Sequence, residues 1–336
     1  MQRNIKRSEL PADIVKCLNL EANVFLSDEY ENYIRSNGDL IIYIYDQNFI
    51  IPLSYHKKFI FSFGKFLSEP YKYSVSETDP ESERIFVNNV MEFLKKSVKL
   101  QWLTTTPASS LFNVYPDYSK RIRFGSHIID LTKDKETLFA DMKSKHRNMI
   151  RRAEKADVSV KIGGKELLDT YLKLDTETWE RSGVISNNKS IYEKILDNLK
   201  TTSFIAIAYK DEIPQSGMLC CYNKAMMYYL FAASKNSPEP GSTNLLHWEV
   251  MKYMKSLGVL KYSFVGCRIN EDENSKYHNI QRFKEGFGGE LRAGYLFKAR
   301  FNSFMYSLFH LLYKIRAKKE LLDVIDQEIS KWKSIN

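Results

Sequence analysis

Apolar and aromatic positions along this 336-residue chain switch repeatedly between strand-like and helix-like spacing. Residues 39–45 and 48–54 are apolar, aromatic and β-branched, separated by Asp46 and Gln47, which predicts a β-hairpin. Residues 57–63 read as a third strand, and the polar, acidic stretch 74–82 reads as a loop. Across 83–96, Ile85, Phe86, Val90, Phe93 and Leu94 form the stripe of an amphipathic helix, and 98–103 returns to strand. In the second half, 135–155 predicts one long helix, 158–162 a strand, and 165–180 and 190–199 two helices. Residues 204–209, 215–222 and 225–233 follow as three strands with short polar turns. An amphipathic helix at 244–257 carries Leu245, Leu246, Val250 and Met254 on one side, and 260–265 is again a strand. Residues 301–336 are helical in pattern. The fold class is therefore α/β in the broad α+β sense.

Composition narrows the class. No charge-free apolar run approaches the roughly 20 residues of a membrane span, and MQRNIKRSEL lacks the apolar segment of a signal peptide. Cys17, Cys220, Cys221 and Cys267 fit neither a zinc spacing nor a disulfide framework, which points to a reducing cytoplasm. Metalloprotease, Walker and dinucleotide fingerprints are missing, so no cofactor and no metal are expected. The net charge of +9 favours an anionic partner: RNA, a phosphorylated sugar carrier or an acidic membrane face. That charge is concentrated in MKSKHRNMIRR, residues 142–152, which holds five Lys or Arg and no acid. Lys145, Arg147, Arg151 and Arg152 there suit either a solvated helical face or phosphate contacts.

The segment FKEGFGG, residues 283–289, places Lys284 between two phenylalanines ahead of a glycine-rich turn. A lysine in this setting is either a surface residue on a short helix ending at Gly288 or a fixed charge in a water-poor cleft. In the second case it can stabilise an oxyanion that develops during acyl transfer.

This run and much of the preceding chain resemble the Fem family of non-ribosomal peptidyltransferases, a branch of the N-acetyltransferase superfold. The resemblance is carried by residues 130–160, by TYLKLDTETWERSGV at 170–184, by 226–266 and by FKEGFGG, with a weaker match near NVFLSDEYENYI. It implies two N-acetyltransferase-like domains, each a mixed, mostly antiparallel sheet flanked by helices. Their expected extents are 1–125 completed by 301–336, and 126–300; no coiled-coil arm is expected. It implies an aminoacyl group moved from aminoacyl-tRNA to the amine of a phosphorylated or lipid-linked peptidoglycan precursor, with peripheral contact at the inner membrane face as a further expectation. Lys284 takes the catalytic role, Phe283 and Phe287 shape the cleft, Arg181 holds acceptor phosphate, Tyr262 on the matching strand joins them in binding substrate, and Lys145, Arg147, Arg151 and Arg152 meet phosphates.

The chain also departs from the family. QWLTTTP at 101–107 lacks the aspartate that several members carry, and Ser263 stands where an acid is common. The PEPG loop offers only Gly241 to a pyrophosphate, with Ser242 or Thr243 as expected helix cap, which disfavours acyl-CoA. Two other readings stay open: an N- or O-acyltransferase acting on a nucleotide-sugar or surface polysaccharide precursor from acyl-CoA or acyl carrier protein, and a non-catalytic RNA- or membrane-surface-binding protein. The C-terminal FNSFMYSLFHLLYKIRAKK, aromatic and then basic, suits packing onto the first domain or lying on a membrane.

Overall fold

The structure, a computed structural model, describes residues 2–4, 7–20, 23–74, 79–182, 188–269, 275–317 and 323–335. Parts of the acidic loop (75–78), of the stretch after Arg181 (183–187) and of the C-terminal helical stretch (318–322 and 336) lie outside them. In chain order the first elements are β1 (Gln2–Asn4), α1 (Ala12–Leu20), α2 (Asp28–Ser36), β2 (Leu40–Tyr45), β3 (Phe49–Lys58), β4 (Phe61–Phe66), β5 (Tyr71–Lys72), α3 (Pro80–Phe93), β6 (Trp102–Thr105) and β7 (Lys120–Asp130). There follow α4 (Lys135–Asp141), α5 (Ser144–Lys155), β8 (Ser159–Gly163), α6 (Leu168–Ser182), α7 (Lys189–Asn198), β9 (Ser203–Lys210), β10 (Ile213–Tyr222) and β11 (Met227–Ser234). The last are α8 (Ser242–Ser256), β12 (Lys261–Arg268), α9 (Lys276–Glu285), β13 (Glu290–Arg300), α10 (Ser303–Ala317) and α11 (Val324–Ile335). Two compact units emerge, one of residues 1–125 with 293–336, the other of residues 126–292.

In the first unit the strand order is β1-β2-β3-β4-β6-β13-β7, with β5 on β3. Its registered pairs are antiparallel except β4 and β6, which run parallel from Phe63↔Trp102 to Phe66↔Thr105. The unbroken apolar run of β2 follows from burial on both faces. Ile42 and Ile44 join the core under α3, with Phe86, Val90 and Met91, while Ile41, Tyr43 and Tyr45 pack with Ile14, Leu18 and Ile34. Helix α3 starts where the sequence allows it: Asp79 accepts from Ser82 N at 2.7 Å, and Pro80 occupies the first turn. Lys298 of β13 is buried and bonds Asp323 at 2.6 Å and Asp326 at 2.5 Å. Burial alone would depress its pKa; the two carboxylates win and raise it.

In the second unit the order is β7-β12-β11-β10-β9-β8, antiparallel along β8, β9, β10 and β11 and parallel between β11 and β12. Helix α8 buries Leu245, Leu246, Val250, Met251 and Met254 against Phe204, Ala206, Met218 and Cys220. On the other face Tyr171 and Leu174 of α6 lie over Gly217, where a Cβ would meet Tyr171 at 3.2 Å. Among the described residues no helix exceeds the 15 residues of α6, α8 and α10, and none forms a coiled-coil arm. The expected architecture, a mostly antiparallel sheet flanked by helices, is thus the observed one.

Four local expectations change. The helix over 135–155 is two helices, because Met142 is extended (ψ 144°) and Lys143 N donates to Gly286 O at 2.9 Å. The strand over 57–63 is split by a turn at Phe59, whose φ is +54°. Gly241, not Ser242 or Thr243, caps α8: its φ is +89°, and a Cβ there would overlap the Met149 carbonyl. Helix α9 stops at Glu285 with Gly286 as its cap, before Gly288.

Candidate active site

The FKEGFGG segment becomes the last turn of α9 and the bend into β13. Its glycines are required by close approach. A Cβ on Gly286 would overlap the His146 ring, and one on Gly288, where φ is +82°, would stand 2.6 Å from Asp141 O. The break between α4 and α5 is therefore seated on this bend, and Lys284 is held in one place.

Lys284 is buried, and its Nζ donates to the carbonyls of Phe264 (2.9 Å), Val265 (3.2 Å) and Gly266 (2.7 Å). Three consecutive carbonyls reach one ammonium because Val265 adopts φ +44°, a costly conformation for a β-branched residue. Burial pulls the Lys284 pKa down to about 8, while the three carbonyls favour its charged form.

The parallel ladder of β11 and β12 covers only Met227↔Tyr262 and Tyr228↔Ser263. Beyond it lies a cavity of about 620 Å³ lined by Tyr229, Leu230, Ala232, Phe264, Val265, Asn279, Ile280, Phe283 and Lys284. Two parting strands, an aromatic wall and one buried cation thus share a space large enough for a small acyl group and part of its carrier.

Behind that wall, His247 is fully buried and its Nδ1 lies 2.5 Å from the Tyr262 hydroxyl. Burial first, then the Lys284 charge, hold its pKa near about 3, so the ring is neutral. It packs edge-on against Tyr229 and tilted against Phe264 and Phe287. Tyr262 and Phe287 are fully buried and support the lining without being part of it; Phe283 lines the cavity. His247 contributes packing rather than a proton, as a lone histidine on that helix generally does.

The remaining predicted residues separate. Arg181 is exposed at the end of α6, where it donates to Lys235 O (3.1 Å), Asn236 Oδ1 (3.1 Å) and Ser234 Oγ (3.0 Å), fixing the end of β11. In α5, Lys145, Arg151 and Arg152 are exposed, whereas Arg147 donates to the carbonyls of Ala140 and Met142 across the helix break. His146 belongs to no basic face: it is buried, bonded to Asn244 Nδ2 at 2.9 Å, and pulled down to about 4 by burial and then by Lys145 and Lys143. Tyr229, Leu230 and Asn279 were not anticipated as lining residues: Tyr229 and Leu230 reach the cavity where β11 parts from β12, Asn279 reaches it from α9, and no spacing in the chain announces either.

The first unit has a smaller cavity, about 310 Å³, beside its own parallel pair, lined among others by Phe63, Lys65, Trp102, Thr104, Lys298, Tyr306 and Asp323. Among the described residues no group of three or more His, Cys, Asp or Glu could hold a metal ion. No helix among them is long and apolar enough to cross a membrane.

Comparison with known proteins places the chain. The FemAB family profile matches residues 112–211 and 208–314, so the chain belongs to the FemAB family, at the level of the family a group of acyltransferases tied to peptidoglycan. The crystal structure of FemX is 17% identical, with a TM-score of 0.68 over 92% of this chain and 99% of its own. L-PGS from Bacillus licheniformis is 13% identical, with a TM-score of 0.54 over 89% and 96%. At these identities the likeness is one of fold. No curated protein matches the sequence significantly.

Proposed function

We propose that this chain transfers an aminoacyl group from aminoacyl-tRNA to the amine of a peptidoglycan precursor. The observation that carries the reading is Lys284, a buried cation at the wall of the cavity where β11 and β12 part. The acceptor amine attacks the ester carbonyl, a C–N bond forms, and the carbonyl oxygen becomes an oxyanion. Collapse breaks the C–O bond to the terminal ribose, and the proton lost by the amine goes to the departing hydroxyl oxygen. Lys284 serves the oxyanion as a fixed charge at a buried point of the cavity wall, where such charge counts more than at an exposed one. Its three N–H groups are engaged, and the longest bond, to Val265 at 3.2 Å, is the one exchanged for the oxyanion. Among the described residues no carboxylate lines the cavity; an activated ester needs no strong enzyme base if the amine arrives neutral.

Phe283 shapes the acyl pocket, with Phe287 and Tyr262 fixing it from behind. Arg181 takes an acceptor phosphate, and Lys145, Arg151 and Arg152 take phosphates of acceptor or tRNA, while Arg147 splints the helix break. The donor assignment is supported by the start of α8. Gly241 is pressed against Met149 of α5, and Ser242 and Asn244 are buried, so this helix N-terminus is a poor cradle for a pyrophosphate. The test compares charged tRNA pools with acetyl- and longer acyl-CoA as donors for the purified protein, using soluble and lipid-linked precursors. Turnover with acyl-CoA alone would replace the donor, and turnover with neither would remove the enzymatic reading.

A further inference from the structure

Helix α10 is apolar on two sides, and only one of them is covered. Its inward side presents Tyr306, Phe309 and His310. Phe309 meets the rings of Phe61 at 5.2 Å and Trp102 at 5.0 Å, and Tyr306 stands edge-on to Trp102 at 5.7 Å. The opposite side carries Phe304, Leu308, Leu311, Leu312 and Ile315, which fall within an arc of about 100° at helical spacing. Of these, Phe304 is 74% exposed and Ile315 67% exposed, and Leu311 and Leu312 are also exposed.

The β3–β4 turn adds Phe59, 86% exposed, and Ile60, which is exposed as well. One residue ties this turn to the start of α10. Gln101 Nε2 donates to Ile60 O at 2.8 Å, and Gln101 O accepts from Phe301 N and Asn302 N, both at 2.9 Å. The turn and the helix are thus neighbours within one unit. Their charges have a single sign: Lys57, Lys58, Lys314 and Arg316 are exposed, and neither 55–62 nor 303–317 contains an acid. Large exposed side chains in one stripe, flanked only by cations, have the chemistry of a surface that enters the headgroup layer of an anionic bilayer. A protein partner covering the same stripe would have to be acidic at its rim, and a second copy would set Lys57, Lys58, Lys314 and Arg316 against their own kind.

We propose that the outward face of α10, together with the Phe59–Ile60 turn, is a docking surface for an anionic lipid bilayer. The helix lies in the plane of the interface, its stripe at the acyl boundary and its cations among the headgroups. This does not depend on which donor or acceptor the enzyme uses.

The test is flotation of the full chain with vesicles of phosphatidylcholine alone and of phosphatidylcholine with phosphatidylglycerol, alongside light scattering of the free protein. Wild type should float with the anionic vesicles, and added salt should weaken the binding. Leu311→Asp with Ile315→Asp should abolish flotation while leaving the melting temperature unchanged, since both positions face solvent. Lys57→Gln with Lys58→Gln should weaken binding to anionic vesicles by about fivefold per residue, with little effect on neutral ones. Phe59→Asn with Ile60→Ser supplies a second apolar variant outside the helix. Wild type that ignores anionic vesicles overturns the proposal, as do apolar variants that float as well as wild type. A wild-type dimer that Leu311→Asp converts to a monomer, with no lipid binding by either, would assign the stripe to a second copy instead.

Discussion

The side chain of Lys284 reaches back to the carbonyl oxygen of Gly266, 2.7 Å from its Nζ, and so clamps the bend of β12 as well as charging the cavity beside it. Two properties, geometry and charge, therefore rest on one residue, and they are separable by experiment.

Lys284→Met keeps the length and apolar bulk of the side chain but removes the cation. Turnover should fall by roughly 10²- to 10³-fold, the range for loss of one oxyanion stabiliser. The three carbonyls also lose their donor, so stability should drop by on the order of 1–3 kcal/mol. Single-turnover rates and denaturant titrations measure the two effects. A variant with wild-type turnover would rule out the charge as the catalytic element.

The pH dependence has opposite signs for rate and stability. With its pKa held at about 8, Lys284 loses its proton above that pH, so the rate advantage of wild type over Lys284→Met should shrink about tenfold per unit there. The folded-state pKa lies below the unfolded value, so between about 8 and 10.5 the folded state binds fewer protons. Stability contributed by this residue therefore rises with pH across that window and is flat below it. A rate advantage that persists undiminished to pH 10 would mean that the ammonium is not the working form.

Gly286→Ala should be far more damaging than an ordinary helix-cap substitution, because the new Cβ overlaps the His146 ring. Overpacking of this kind costs about 1–3 kcal/mol. Adding His146→Ala should recover part of the loss, and the double-mutant cycle gives the coupling directly. Strict additivity of the two changes would show that the bend and α5 are not in contact in solution.

The arginines of α5 should divide into two classes. Arg151→Gln with Arg152→Gln should leave stability unaltered and reduce the salt dependence of partner binding, by about one in slope for each phosphate no longer neutralised. Arg147→Gln should instead lower the melting temperature, since its bonds to Ala140 and Met142 hold the helix break. Equal salt slopes for wild type and the Arg151/Arg152 variant with every nucleic-acid and precursor partner would leave that face merely solvated.

Arg181→Ala tests the acceptor side. Its three bonds to residues 234–236 mean that the substitution also loosens the end of β11. Acceptor affinity should weaken with donor affinity unchanged; loss of both in equal measure would make Arg181 a brace for the strand rather than a phosphate ligand.

Periodicity reported local order well and long-range order poorly. The run LIIYIY of β2 and the stripe of α3 were legible because their burial is written in neighbouring residues. The break at Met142 was not, because residues 135–155 keep a helical rhythm throughout, and the interruption is imposed by Gly286, distant in sequence. Strands β7 and β13 escaped for a related reason: each carries charges and a glycine in its run, and each gains its apolar neighbours only from distant strands. At the site, Lys284 stood out through its flanking phenylalanines. What the chain could not announce was that all three of its N–H groups would be taken by carbonyls, which requires the left-handed Val265.

The pairing of β6 with β13, Lys298 opposite Thr104, has a temporal consequence. The first unit is discontinuous: the chain leaves it after Gly125 and re-enters at Ala293. During synthesis its sheet must wait with the β6 edge open while the whole of residues 126–292 leaves the ribosome. The second unit, contiguous in sequence, has all its residues first and can fold first. Its folding also brings the two ends of the insertion under control, which reduces the chain entropy that the late strand must overcome to close the sheet. Between the emergence of residue 292 and that of residue 300 the chain therefore holds a complete insert inside an unfinished host.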